Sequence, residues 1–138
     1  KNGDEAFKKY LKRGGPAYVG KKRLTPHEGI QLIKNASGIP VLAHPYNIDG
    51  IKNSDLEHFI LKFKEIGIEG IEVFYPLHNS QQTLKLKAFA EKQGLYITGG
   101  TDFHGEQKPD IQIGSGFGRL KISYELIIKM REKHKTDE

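Results

Sequence analysis

The chain has 138 residues, a formal net charge of +5 and no cysteine. That length suits one domain or a large piece of one, and the missing thiols exclude disulfides and thiolate metal sites. No apolar run approaches the roughly 18–20 residues that cross a bilayer, and residues 1–13 are too charged for a secretory leader, so a cytoplasmic location is expected. Any metal must be held by His, Asp or Glu, the harder ligands suited to Mn, Fe or Zn in a hydrolase. The densest basic groups are Lys8, Lys9, Lys12 and Arg13, then Lys21, Lys22 and Arg23. Aromatics are not interleaved with them as stacking platforms, so a solvated basic surface is favoured over a nucleic-acid groove. The same charge suits a phosphate-bearing substrate.

Helical and strand patterns alternate along the chain. Phe7, Tyr10 and Leu11 are spaced for a short helix over 5–13, stopped by Gly14, Gly15 and Pro16. Thr25, Pro26 and Glu28 form a strong helix start, with a capping box and proline in the first helical position. Ile30, Ile33 and Leu32 are expected on the inner side of that helix, which ends near Ser37 and Gly38. The apolar run 39–44 reads as a buried parallel strand. Phe59, Ile60, Phe63 and Ile66 recur at helical spacing over 56–66, and Gly67 ends the segment. A second strand spans 70–74. A third helix covers about 80–93, with Gly94 as its stop. A third strand over 95–98 leads into Gly99 and Gly100. A further short strand is expected at 120–122 and a final helix at 124–133, followed by a polar tail at 134–138. Such alternation predicts an α/β fold with parallel strands and flanking helices.

Three of the six histidines fall at strand ends. His44 precedes Pro45 where the first strand gives way to loop, His78 lies just past the second strand, and His104 follows Asp102 just past the third. Ligands and metals gather at the carboxyl ends of parallel strands, where loops converge. In extended chain, Asp102 and His104 point the same way and could share a metal. The flanking Gly99, Gly100 and Gly105 allow close backbone approach there. His27, His58 and His134 occupy ordinary surface positions, and residues 114–118 read as a flexible glycine-rich loop without the Lys-Ser/Thr of a phosphate-binding loop.

The segments Val41-Leu42-Ala43-His44-Pro45, Gly70-Ile71-Glu72-Val73 and Gly99-Gly100-Thr101-Asp102-Phe103-His104-Gly105 resemble the later motifs of PHP-domain (polymerase and histidinol phosphatase) phosphoesterases. The TrpH-like subgroup is the nearest match, and the stretch from Phe7 to Val19 resembles its insertion before the His-Pro strand. The resemblance implies the C-terminal part of a distorted (β/α)7 PHP barrel. Residues 1–24 would be the insertion or lid, and 25–133 the barrel portion.

The resemblance further implies hydrolysis of small phosphorylated metabolites or nucleotides by a water activated on two or three divalent ions, Mn, Zn or Fe. His44, Asp102 and His104 carry over as metal ligands. His78 and Glu72 match subgroup positions that support the ligands or contact the substrate phosphate. The family's early His-x-His pair is absent from these residues, so negligible activity is expected of this chain alone. Two other readings follow from the family: a PHP module of a DNA polymerase, acting as a 3′-5′ exonuclease or structurally, and a non-catalytic binding fragment. Part of a barrel also exposes strand edges and apolar faces, which self-association could cover.

Overall fold

The computed structural model describes residues 3–20 and 23–136. Lys21 and Lys22 of the second basic cluster lie outside the described residues, as do Asp137 and Glu138 of the tail. Three parallel strands form one sheet in sequential order: β1 (Val41–Leu42), β2 (Gly70–Phe74) and β3 (Tyr96–Gly99). Val41 pairs with Gly70, and Gly70 in turn with Tyr96.

Among the described residues five α-helices accompany the sheet: α1 (Gly3–Ala6), α2 (Pro26–Asn35), α3 (Leu56–Glu65), α4 (Ser80–Gln93) and α5 (Glu125–Thr136). Local chemistry fixes their ends. In α2 the Thr25 hydroxyl accepts from the Glu28 amide at 3.2 Å while Glu28 accepts from the Thr25 amide at 2.7 Å. Asn79 and Gln82 make the same reciprocal pair at the start of α4, both at 2.9 Å. Each such cap contributes about 1 kcal/mol by satisfying amides that have no partner within the helix. At the far end of α4, Gly94 adopts a left-handed φ of 65°, and a side chain there would be strained.

The core lies between the sheet and the crossover helices. Ile71 and Val73 of β2 pack with Leu56 and Ile60 of α3 and with Leu86, Phe89 and Ala90 of α4. Alternation along β2 explains the division of labour. Ile71 and Val73 are fully buried, whereas Glu72 and Phe74 are half-buried on the other face. The central strand thus supplies the core with one set of side chains and the site with the other.

Several sequence expectations change here. The strand expected at 39–44 shortens to Val41–Leu42, because Pro40 and Pro45 bracket it and neither can donate to a ladder. Residues 120–122 form no strand; the Leu120 amide instead closes a turn on the Ser115 carbonyl at 3.1 Å. The last helix starts at Glu125 and runs to Thr136. In α2 only Ile30 is buried, while Leu32 and Ile33 are 55% and 43% exposed, so that helix presents an apolar face without cover among the described residues. The N-terminal helix is α1 continued by a π-helical turn, Phe7–Leu11, and its apolar residues are exposed as well. Residues 114–118 form a closed turn in which Gln112 and Gly116 exchange amide hydrogen bonds of 2.8 and 2.9 Å. Among the described residues no helix is long and apolar enough to cross a membrane.

Two glycines separate packing from propensity. A Cβ on Gly99 would lie 2.7 Å from the Phe74 Cβ and 2.9 Å from the Phe74 carbonyl, whereas one on Gly29, inside α2, meets nothing within 4 Å. Gly99→Ala is expected to lower unfolding free energy by about 1–3 kcal/mol. Gly29→Ala is expected to raise it by about 0.5–1 kcal/mol. Urea denaturation checks both signs, and an innocuous Gly99→Ala contradicts this packing.

Candidate functional site

The loops after all three strands meet at the carboxyl edge of the sheet. After β1, His44 takes φ 30°, ψ 61° and caps a short 3-10 turn, Pro45–Asn47. A left-handed residue before proline is disfavoured, so the turn must be held from outside. Glu72 on β2 does this, accepting from the His44 amide at 2.8 Å. Burial pushes the Glu72 carboxyl up, and that hydrogen bond opposes the shift.

After β2, Tyr75 is buried and its hydroxyl is a junction. It accepts from Asn47 Nδ2 at 3.2 Å and donates to Asp102 Oδ2 at 3.1 Å. Burial, then the neighbouring Asp102 carboxylate, raises its pKa and keeps it a donor at neutral pH. The Tyr75 ring also lies against two imidazoles, with centroids 5.4 Å from His44 and 5.2 Å from His78.

A register irregularity between Glu72 and Phe74 takes Val73 out of its pairing with β3. Its carbonyl is taken by His78 Nδ1 at 2.9 Å. A carbonyl only accepts, so Nδ1 carries the hydrogen and Nε2 keeps a lone pair. That Nε2 is buried without a hydrogen-bond partner, as is His44 Nδ1. Burial lowers the His78 pKa, and the His44 charge acts in the same direction.

After β3, Asp102 adopts φ 54°. The extended Asp-x-His geometry expected from sequence is therefore not what forms. The turn nevertheless brings His104 Nδ1 within 3.6 Å of Asp102 Oδ1. His104 Nδ1 meets the Asp102 carbonyl at 2.6 Å, which again leaves Nε2 free. Lys108 Nζ reaches Asp102 Oδ2 at 2.6 Å and, ahead of the Tyr75 hydroxyl, holds the Asp102 carboxyl below its ordinary value. Beside Tyr75 and His78 opens a cavity of about 840 Å³, with Asn79, Ser80, Thr83, Phe117 and Arg119 on its wall.

Parts of known proteins are similar to this chain. Over 98 residues it is 36% identical to a 3′,5′-nucleoside bisphosphate phosphatase of Chromobacterium violaceum, a match covering 71% of this chain and 34% of that protein. It is 32% identical over 112 residues to the 5′-3′ exoribonuclease Rnm of Escherichia coli, covering 80% and 37% respectively. The chain is thus similar to part of a phosphatase and to part of an exoribonuclease. It spans about a third of the length of these curated relatives. No family model matches it. Among solved structures it resembles an amidohydrolase from Chromobacterium violaceum, holding sulfate and no metal, with TM-score 0.62 and 29% identity over 95% of this chain and 44% of that one. A protein from Bifidobacterium adolescentis assigned as a metal-dependent phosphoesterase has the same TM-score at 23% identity, over 91% and 42%, and shares the fold.

Do the residues at this edge fit a metal? Their chemistry does, since His78 and His104 each donate Nδ1–H to a main-chain carbonyl and present a bare Nε2, the arrangement that orients metal-binding histidines. Their convergence does not. Among the described residues no group of three His, Asp or Glu side chains is placed to hold one ion. His44, Asp102 and His104 line the same edge without closing into a centre.

Sequence reasoning singled out His44, Glu72, His78, Asp102 and His104, which lie at this edge, and did not single out Asn47, Tyr75 or Lys108. A tyrosine ending an apolar strand and a lysine just past an Asp-x-His carry no signal of their own. The lowered His78 pKa has a consequence for stability. The unfolded imidazole takes a proton near its ordinary 6.5 before the folded one does, so the contribution of His78 is full above that value and is lost as pH falls below it. Denaturation at about pH 7.5 and about pH 5.5 should show a smaller acid-induced loss in His78→Gln than in the native chain. Equal losses would contradict a buried neutral imidazole.

Proposed function

We propose that this chain is the C-terminal portion of a TrpH-like PHP phosphoesterase that hydrolyses phosphate esters of small metabolites or nucleotides. One observation carries the reading: the Tyr75 hydroxyl after β2 bonds Asn47 after β1 and Asp102 after β3, while the His44 and His78 imidazoles lie against the Tyr75 ring and Lys108 pairs with Asp102. The phosphatase relative, which by its name acts on nucleoside bisphosphates, supports the substrate class. The sulfate in the related Chromobacterium violaceum structure supports affinity for a tetrahedral oxyanion.

In this reading the three strands are part of a distorted (β/α)7 barrel, and residues 1–24 are its insertion or lid. His44, Asp102 and His104 face two or three divalent ions, Mn, Zn or Fe, together with donors outside these 138 residues. Glu72 holds the His44 turn, and His78 supports the ligands or meets the substrate phosphate. The cavity beside His78, with Arg119 on its wall, offers room for the rest of the substrate. A cytoplasmic location fits a chain without cysteine. A second reading, phosphodiester cleavage at RNA ends, is favoured by the exoribonuclease relatives.

Since three donors do not converge here, the 138-residue chain alone should bind Mn²⁺ or Zn²⁺ weakly and turn over substrate negligibly. Purified chain with Mn²⁺ is assayed on an adenosine 3′,5′-bisphosphate and on a short 5′-phosphorylated RNA, beside the Chromobacterium violaceum phosphatase. Turnover on either substrate matching that enzyme would contradict the incomplete centre. In a longer protein that is active, Asp102→Ala should cost about a hundredfold or more in kcat, and the substrate preferred there decides between the two readings.

A further inference from the structure

The glycine-rich turn Gly114-Ser115-Gly116-Phe117-Gly118 takes no part in the strand-end cluster, yet it is closely built. Gly114, Gly116 and Gly118 take left-handed φ of 79°, 60° and 85°, where a side chain would be strained. Besides the exchanged bonds of Gln112 and Gly116, the Gly118 amide closes on the Ser115 carbonyl at 2.9 Å. The Ser115 hydroxyl donates to Gln112 Oε1 at 3.2 Å. The turn sits directly on the residue after Tyr75, since a Cβ on Gly116 would lie 2.9 Å from Pro76 Cγ. Its single large side chain, Phe117, is nevertheless 49% exposed and stands on the wall of the cavity of about 840 Å³. Phe74, Pro76, Leu84 and Leu120 make much of that wall apolar, and Arg119 is its one charged residue besides the imidazole of His78. No Asp or Glu lines it, and Arg119 has no ion-pair partner among the described residues.

We propose that Phe117 is a stacking platform for the base of a nucleotide held in this cavity, with Arg119 meeting its phosphate. Every nucleobase has a flat π-face, and a phenyl ring left half-exposed by a closed turn gains the burial it lacks when a base covers it. The guanidinium supplies a planar, permanently charged fork for phosphate oxygens. A cavity of this volume falls within the range of small-molecule sites. An apolar wall with one unpaired guanidinium suits a flat ring joined to an anion better than it suits phosphate or a sugar phosphate alone. Tyr75 joins the cavity to the strand-end cluster, since it lines the one and donates to Asp102 in the other at 3.1 Å. The inference deepens the nucleotide reading above, on which it rests, and names the residue that would hold the base.

The test is nitrogen–proton NMR titration of the 138-residue chain, without added metal, with adenosine 5′-monophosphate, ribose 5-phosphate and adenosine. The nucleotide should shift amide signals of residues 74–84 and 115–120 and bind about tenfold tighter than the sugar phosphate. Phe117→Ala should weaken nucleotide binding about tenfold and leave ribose 5-phosphate unchanged, whereas Phe117→Tyr should match the native chain. Arg119→Gln should weaken both phosphates and spare adenosine. Circular dichroism checks folding, and Phe117→Leu replaces Phe117→Ala if the latter misfolds. Nucleotide binding indifferent to loss of the Phe117 ring overturns the proposal, as do shifts confined to other residues, equal binding of the sugar phosphate, or no measurable nucleotide binding. The titration reads neither metal nor turnover, so its failure leaves the phosphoesterase reading standing. Inactivity of a longer protein on phosphate esters would instead fail that reading while binding that depends on Phe117 stays measurable.

Discussion

The hydroxyl of Tyr75 is the point on which the strand-end edge depends. It links Asn47 after β1 to Asp102 after β3, and it stands itself at the end of β2. Loops following three parallel strands have no ladder to fix their relative positions. A buried phenol with one donor and one acceptor partner supplies that fixing. Burial strengthens the arrangement, since hydrogen bonds to a charged carboxylate gain from reduced competition with water. A phenylalanine at 75 would keep the ring contacts with His44 and His78 but leave the three loops untied.

The same edge carries unfavourable backbone conformations. His44 and Asp102 both have positive φ without being glycine, at 30° and 54°, and each costs about 1–3 kcal/mol. The offsetting interactions are identifiable. Glu72 accepts from the His44 amide, and Lys108 with Tyr75 anchors the Asp102 side chain. Beneath them, Gly99 approaches Phe74 so closely that no side chain fits. Rigid, fully buried residues of β2 underlie the whole edge. Strain, a strand irregularity that frees the Val73 carbonyl, and buried nitrogens without partners thus coincide at one place. That coincidence is characteristic of sites whose geometry serves binding or chemistry.

Much of the scaffold was legible because it is written locally. The Thr25–Glu28 pair announces α2 within four residues, and Gly94 marks the stop of α4. The strand-end histidines and Asp102 were legible for a related reason, since α/β alternation dictates where loops converge. Contacts across the sheet were not. Tyr75 reaches Asp102 and Asn47 over separations of 27 and 28 residues, distances at which one sequence gives no pairing information. The exposed Leu32 and Ile33 show the converse limit. Helical spacing marks a face as apolar but does not say whether a partner within the same residues covers it. Asp102 and His104 come together by a left-handed turn rather than by the extended chain expected from sequence.

The central claim is that the His78 and His104 imidazoles are held by main-chain carbonyls with their Nε2 lone pairs free. Long-range nitrogen–proton NMR of the histidine rings reads the tautomers directly. The account predicts Nδ1–H tautomers for His78 and His104 at neutral pH, and Zn²⁺ titration that perturbs His44, Asp102 and His104 before the surface His27 and His58. Nε2–H tautomers for His78 and His104, or zinc shifts confined to His27 and His58, would contradict it.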